Sequence, residues 1–83
     1  MTGFRWVYVT CNGPSEARKI GTEMVKKRLA ACANWFPVRS VYWWEGRMER
    51  ASESALVLKT TAGRTKALIA AIKKAHSYKV PCI

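Results

Sequence analysis

Cys11 and His76 are the two side chains best suited to metal chemistry. Cys11 closes an apolar, β-branched segment, and His76 follows a helical one. A thiolate and an imidazole brought together suit copper, zinc or another divalent cation. The competing expectation is a small buried cysteine and a solvent-facing histidine at a helix end, since no two potential ligands stand close in sequence. Cys32 and Cys82 complete the set of three cysteines. An odd count at wide spacing argues against a disulfide framework, and no CxxC or HxxxH pattern supports a structural zinc site. Cys32 is expected in the core, on the apolar stripe of a helix.

A second group of residues points to contact rather than coordination. Tyr42, Trp43 and Trp44 must alternate across one strand, so large aromatics stand on both of its faces. A small sheet with helices on one side leaves its other face wet unless something covers it. These three therefore mark a subunit interface. Glu45 and Lys59 read as a charge pair on neighbouring strands. With Tyr78 they are expected to line an inter-subunit cleft for a small anion or metal, against the plainer alternative of a surface ion pair.

The elements that hold these residues can be read from pattern. Phe4 to Thr10 is aromatic and β-branched, with Phe4, Trp6, Tyr8 and Thr10 on one face and Arg5, Val7 and Val9 on the other. Apolar residues on both faces predict a strand covered on two sides. Asn12-Gly13-Pro14-Ser15 breaks it, and Ser15 is the expected N-cap of a helix opening with Glu16 and Ala17. Ile20, Gly21, Met24, Val25, Leu29 and Cys32 give that helix an apolar stripe. A long strand is expected from about Asn34 to Met48, with irregularities at Pro37 and Gly46. A turn near Glu49 to Glu53 and a strand from Ser54 to Thr61 follow. The second helix spans about Arg64 to Ala75, burying Leu68, Ile69, Ile72 and Ala75. Lys73, Lys74 and His76 sit at its end, where the dipole favours positive charge.

The order is β-α-β-β-α, and Val80-Pro81-Cys82-Ile83 reads as the opening of another strand. This predicts an α+β, ferredoxin-like split β-α-β domain over residues 1–83, of order β-α-β-β-α-β with its last strand truncated and a long β2-β3 hairpin. Without that strand the first one is a bare edge, so the chain is expected to continue past Ile83 or to be covered by another subunit.

Composition narrows the function. Nearly half of the 83 residues are apolar, which opposes disorder. No apolar run approaches the roughly 20 residues of a membrane span, and the first residues lack a signal-peptide pattern. A cytoplasmic protein with no membrane partner is the expectation. Fifteen Lys and Arg against five Glu, and no Asp, give a net charge of +10. Non-specific electrostatic binding of nucleic acid follows easily, and a solvated basic surface is the plainer reading.

VYVTCNGPSEA, KRLAACAN, SVYWWEGRMER, SALVLKTT and HSYKVPCI, in that order, resemble the CutA divalent-cation tolerance family over nearly the whole chain. The resemblance implies a non-enzymatic ferredoxin-like subunit of a tight homotrimer, with long hairpins crossing subunit boundaries. It also implies a role in tolerance of divalent metals, copper especially, and likeness to PII-type signalling trimers. Family members often carry His-Pro-Tyr-Glu where this chain has His76-Ser77-Tyr78-Lys79, so Lys79 replaces a carboxylate with an amine. Cys82 stands where the family often has an acid.

Two other functions compete with this reading. An RNA-recognition module shares the topology and suits the charge, but it needs aromatics on its third strand, and SALVLKTT has none. An acylphosphatase-like hydrolase needs a phosphate-cradling loop and a nucleophile–base pair, and neither is evident.

Overall fold

Phe4–Cys11 forms β1, Pro14–Lys26 forms α1, Cys32–Trp44 forms β2 and Arg47–Thr61 forms β3. A short 3-10 turn at Ala62–Arg64 leads into α2, Thr65–Ala75. These elements come from a computed structural model that describes residues 3–83. The three strands make one antiparallel sheet in the order β1-β3-β2. This is the expected ferredoxin-like α+β pattern.

Both helices cover one face of the sheet. Val7, Val9 and Cys11 of β1, with Leu56 and Leu58 of β3, point at Ala17, Ile20 and Met24 of α1 and Leu68 and Ile72 of α2. These side chains are almost wholly removed from water, and their burial is the main stabilising term. Gly21 lets α1 lie close to the sheet. A Cβ there would meet the Ala33 Cβ and Leu56 Cδ1 at 3.1 Å.

The other face of β1 is open. Phe4, Trp6 and Tyr8 are exposed, Trp6 to 74%. The strand is thus covered on one side within a single subunit, not on two. β1 is also an edge strand, met at Thr10, whose N–H donates to the Cys82 carbonyl at 3.4 Å.

The hairpin turn falls at Glu45-Gly46, ahead of the expected Glu49 to Glu53. Both turn residues have positive φ, 50° and 76°, as the two-residue turn that matches strand twist requires. The register from Cys32↔Lys59 to Trp44↔Arg47 is unbroken. Neither Pro37 nor Gly46 makes a bulge. Pro37 is accommodated because β2 is an edge strand, where a missing N–H costs no ladder bond. The hairpin carries the molecule to a length of 44 Å.

Helix α1 also differs at both ends. Pro14 occupies the first turn and Gly13 is the cap, so Ser15 is not. A helix's first N–H groups lack partners anyway, which makes Pro14 acceptable there. At the other end Arg28 adopts a left-handed φ of 59°. The Arg28 N–H donates to the Val25 carbonyl and the Leu29 N–H to that of Met24, both at 3.0 Å. This closing motif stops the helix. Leu29 then packs on the core from the loop. Cys32 opens β2, opposite Lys59, half-buried and outside the helix stripe that was expected to hold it.

Candidate metal centre and interface groove

Cys11 ends β1 and His76 follows α2, and the fold brings them together. One ligand atom each from Cys11, Glu16 and His76 lies within 4.8 Å of the others. The His76 side chain is fully buried rather than solvent-facing. Glu16 was not singled out as a ligand from sequence. It stands in the first turn of α1, and its carboxylate turns back over the loop before the helix. Oε1 accepts the Asn12 N–H and Oε2 the Ser77 N–H, both at 2.9 Å. A Glu in a helix's first turn, reaching back to N–H groups ahead of it, is a recurrent capping pattern and was the available signal.

The imidazole is held at both nitrogens. Nε2–H donates to the Thr10 carbonyl at 2.8 Å, and Nδ1 accepts the Tyr78 N–H at 3.0 Å. Nδ1 is also 4.0 Å from the Glu16 carboxylate. The Cys11 thiol is pushed up to about 11, by burial first and then by the carboxylates of Glu16 and Glu53. Burial alone would raise Glu16, but the hydrogen bonds from Asn12 and Ser77, with the nearby His76, hold it below its ordinary value.

This donor set fits a divalent cation. Thiol, carboxylate and imidazole together suit copper or zinc. A backbone carbonyl receiving the far N–H is the usual way a ligating histidine is oriented. The one contact that must yield is that of the Tyr78 N–H on Nδ1.

A second feature adjoins it. Thr10, Tyr42, Trp44, Glu53, Tyr78 and Val80 help to line a mainly apolar groove of about 450 Å³. On its wall the Tyr78 hydroxyl donates to Glu53 Oε2 at 2.6 Å. Burial, then this bond, pushes the phenol's pKa well up. Of the residues expected at an inter-subunit cleft, Tyr42, Trp44 and Tyr78 thus meet within one subunit. Trp43 stands apart from the groove, 74% exposed. Glu45 and Lys59 do not pair. Glu45 is in the turn, whereas Lys59 lies far along β3, opposite Trp6 and Cys32. There its amine sits 5.5 Å from the Trp6 ring centre. The earlier turn is what separates them.

Fold and cluster define a ferredoxin-like domain with a buried thiol–carboxylate–imidazole centre beside an aromatic groove. The family model of CutA1 divalent ion tolerance proteins matches residues 5–83, and the chain belongs to that family. The divalent-cation tolerance protein CutA of Archaeoglobus fulgidus is 40% identical over 78 residues, 94% of this chain and 76% of that protein. That of Thermotoga maritima is 40% identical over 77 residues, 93% of this chain and 76% of that protein. Solved structures agree. The periplasmic divalent cation tolerance protein CutA from Archaeoglobus fulgidus superposes with a TM-score of 0.92 at 38% identity, over 95% of this chain and 78% of that one. CutA1 from Oryza sativa gives 0.92 at 35% identity, over 98% and 76%.

Proposed function

We infer that this chain is a non-enzymatic, cytoplasmic subunit of a homotrimer that binds a divalent cation, copper foremost, at Cys11, Glu16 and His76, and so takes part in the response to metal ions. The convergence of those three side chains carries the reading. His76 is oriented by Thr10, and Glu16 is anchored by two N–H groups, so two ligands are pre-positioned. A bound cation supplies positive charge that favours the Cys11 thiolate, and binding therefore releases a proton. A thiol raised to about 11 is a poor nucleophile at neutral pH, and it becomes a ligand only as the cation displaces its proton. The trimer is supported by the open aromatic face of β1 and the groove at Tyr42 and Trp44, which one subunit leaves uncovered. Three free thiols suit a reducing compartment.

Light scattering with and without copper tests assembly, and competition against a chelating indicator tests binding. The expected mass is that of three chains. Cys11→Ser and His76→Gln should each weaken copper binding at least about tenfold, and wild-type affinity should fall as pH is lowered. A monomer in both conditions refutes the trimer, and unchanged affinity in both variants refutes the site. The groove favours a second reading, a PII-like trimer that takes a small apolar ligand between subunits.

A further inference from the structure

We propose that the helix layer is a sequence-independent binding surface for the phosphate backbone of double-stranded nucleic acid.

The argument starts from where the charges lie. The excess of fifteen Lys and Arg over five Glu is not spread evenly. Glu16 is spent on the Asn12 and Ser77 N–H groups. Glu53 is 8% exposed and holds Tyr78. Glu45 and Glu49 belong to the hairpin. Only Glu23 remains on the outer side of the helices, and Lys27 holds it at 2.9 Å. Against this single acid, α1 exposes Arg18, Lys19 and Lys26, its C-cap Lys27 is exposed too, and α2 exposes Lys66, Lys73 and Lys74.

All of these but Lys66 and Lys73 border depressions that overlap. A groove between the helices is lined by Lys19, Glu23, Lys27 and Lys74 over a floor of alanines. A shallow depression along α1 shares Lys19 and Glu23 with it and adds Arg18 and Lys26. A third, at the end of α1, shares Lys26 and adds Arg28 and Arg64. Along α1 the cations recur two turns apart, about 11 Å.

The chemistry of the surface selects the partner. Insertion into a lipid surface needs large apolar side chains beside the cations. Here Ile20, Met24, Leu68 and Ile72 are fully buried against the sheet, alanines lie between the lysines, and Val25, 38% exposed, adds a single apolar side chain. Stacking of unpaired bases needs exposed aromatics, and neither helix contains one. What remains is a field of point charges able to replace condensed counterions on a duplex. The aromatic sheet face lies on the opposite side, so a copy packed there leaves this surface free.

The test is anisotropy of a labelled duplex of arbitrary sequence, about 20 base pairs or two helical turns long. Wild-type affinity should drop steeply between about 50 and about 200 mM salt. Lys19→Glu with Lys74→Glu should weaken binding at least about tenfold and lower the salt slope by about two, one per lost phosphate contact. Arg47→Glu with Arg50→Glu removes the same net charge from the hairpin and should change affinity less than about twofold. Glu23→Gln should tighten binding, a gain that a misfolded variant would not give. Equal weakening in both double variants would reduce the effect to net charge and overturn the proposal. So would a wild-type protein that ignores the duplex at low salt, or one that binds phosphatidylserine vesicles in its place.

Discussion

Tyr78→Phe removes one hydroxyl and leaves the ring. The lost bond is a 2.6 Å contact to a carboxylate oxygen of Glu53, which is 8% exposed. Hydrogen bonds to charged groups contribute about 1.5–3 kcal/mol, and a buried acceptor left without its donor costs its desolvation as well. Tyr78 is half-buried, so water can partly replace the hydroxyl. Destabilisation of about 2 kcal/mol is expected, a fall in Tm of about 10 °C for a domain of this size. Urea unfolding followed by circular dichroism reads it, at one fixed protein concentration, because assembly would make stability depend on concentration. Glu53→Gln keeps a neutral acceptor and should cost less. The double variant should cost less than the sum of the two, since it leaves no buried carboxylate unpaired. A Tyr78→Phe protein within about 0.5 kcal/mol of wild type, or strictly additive variants, would refute the assignment of this bond to the stability of the fold.

Two further outcomes are expected. Burial first, then the carboxylates of Glu16 and Glu53, push the Cys11 thiol up to about 11 in the folded chain from an ordinary 9.0. The folded state therefore keeps this proton longer, and the resulting stability is complete below pH 9 and lost as pH rises to 11. A gap of this size is worth about 3 kcal/mol, so the urea midpoint of wild type should fall across that window more than that of Cys11→Ser. Parallel profiles would count against it. In the hairpin, Glu45 holds a φ of 50° ahead of Gly46, and asparagine tolerates that conformation better. Glu45→Asn should raise stability by about 0.5 kcal/mol, read as a higher thermal midpoint; a lower one would show that Glu45 makes a contact worth more than its backbone strain.

The element order was legible because each core stripe keeps its period: Val7 and Val9 at two, Ile20 and Met24 at four, Leu68 and Ile72 at four. What was not legible came from backbone geometry that side-chain pattern does not encode. Arg28 ends α1 in a conformation that usually marks glycine, so Leu29 and Cys32 looked like a continuing helix stripe. Glu45 likewise takes a positive φ without a turn-forming side chain, and the hairpin was placed a few residues late. The earlier turn puts Glu45 at the hairpin tip and leaves Lys59 opposite Cys32, so the two charges cannot pair. Topology brings the end of the first strand and the end of the second helix to one end of the sheet, which permits Cys11 and His76 to meet without requiring it. Glu16 could not be ranked among ligands in the same way. Its first-turn position signals a cap, and only the fold sets its Oε1 4.0 Å from His76 Nδ1.

Tyr78 belongs to both regions of interest, and this constrains how they can act. Its N–H occupies His76 Nδ1, and its hydroxyl occupies Glu53 on the wall of the groove with Tyr42 and Trp44. The preceding residue, Ser77, is tied to Glu16. If a cation takes Nδ1, the Tyr78 N–H must turn away, and a short backbone segment that is tethered on both sides cannot turn without moving the phenol. Occupation of the buried centre and the shape of the groove are then alternatives bearing on one residue, not independent properties. Reciprocity requires that whatever fills the groove and locks Tyr78 weakens the cation by the same factor that the cation weakens it. A metal that tightened groove contacts would have to spare Nδ1, leaving Cys11 and Glu16 to hold it, and two ligands make a far poorer site than three.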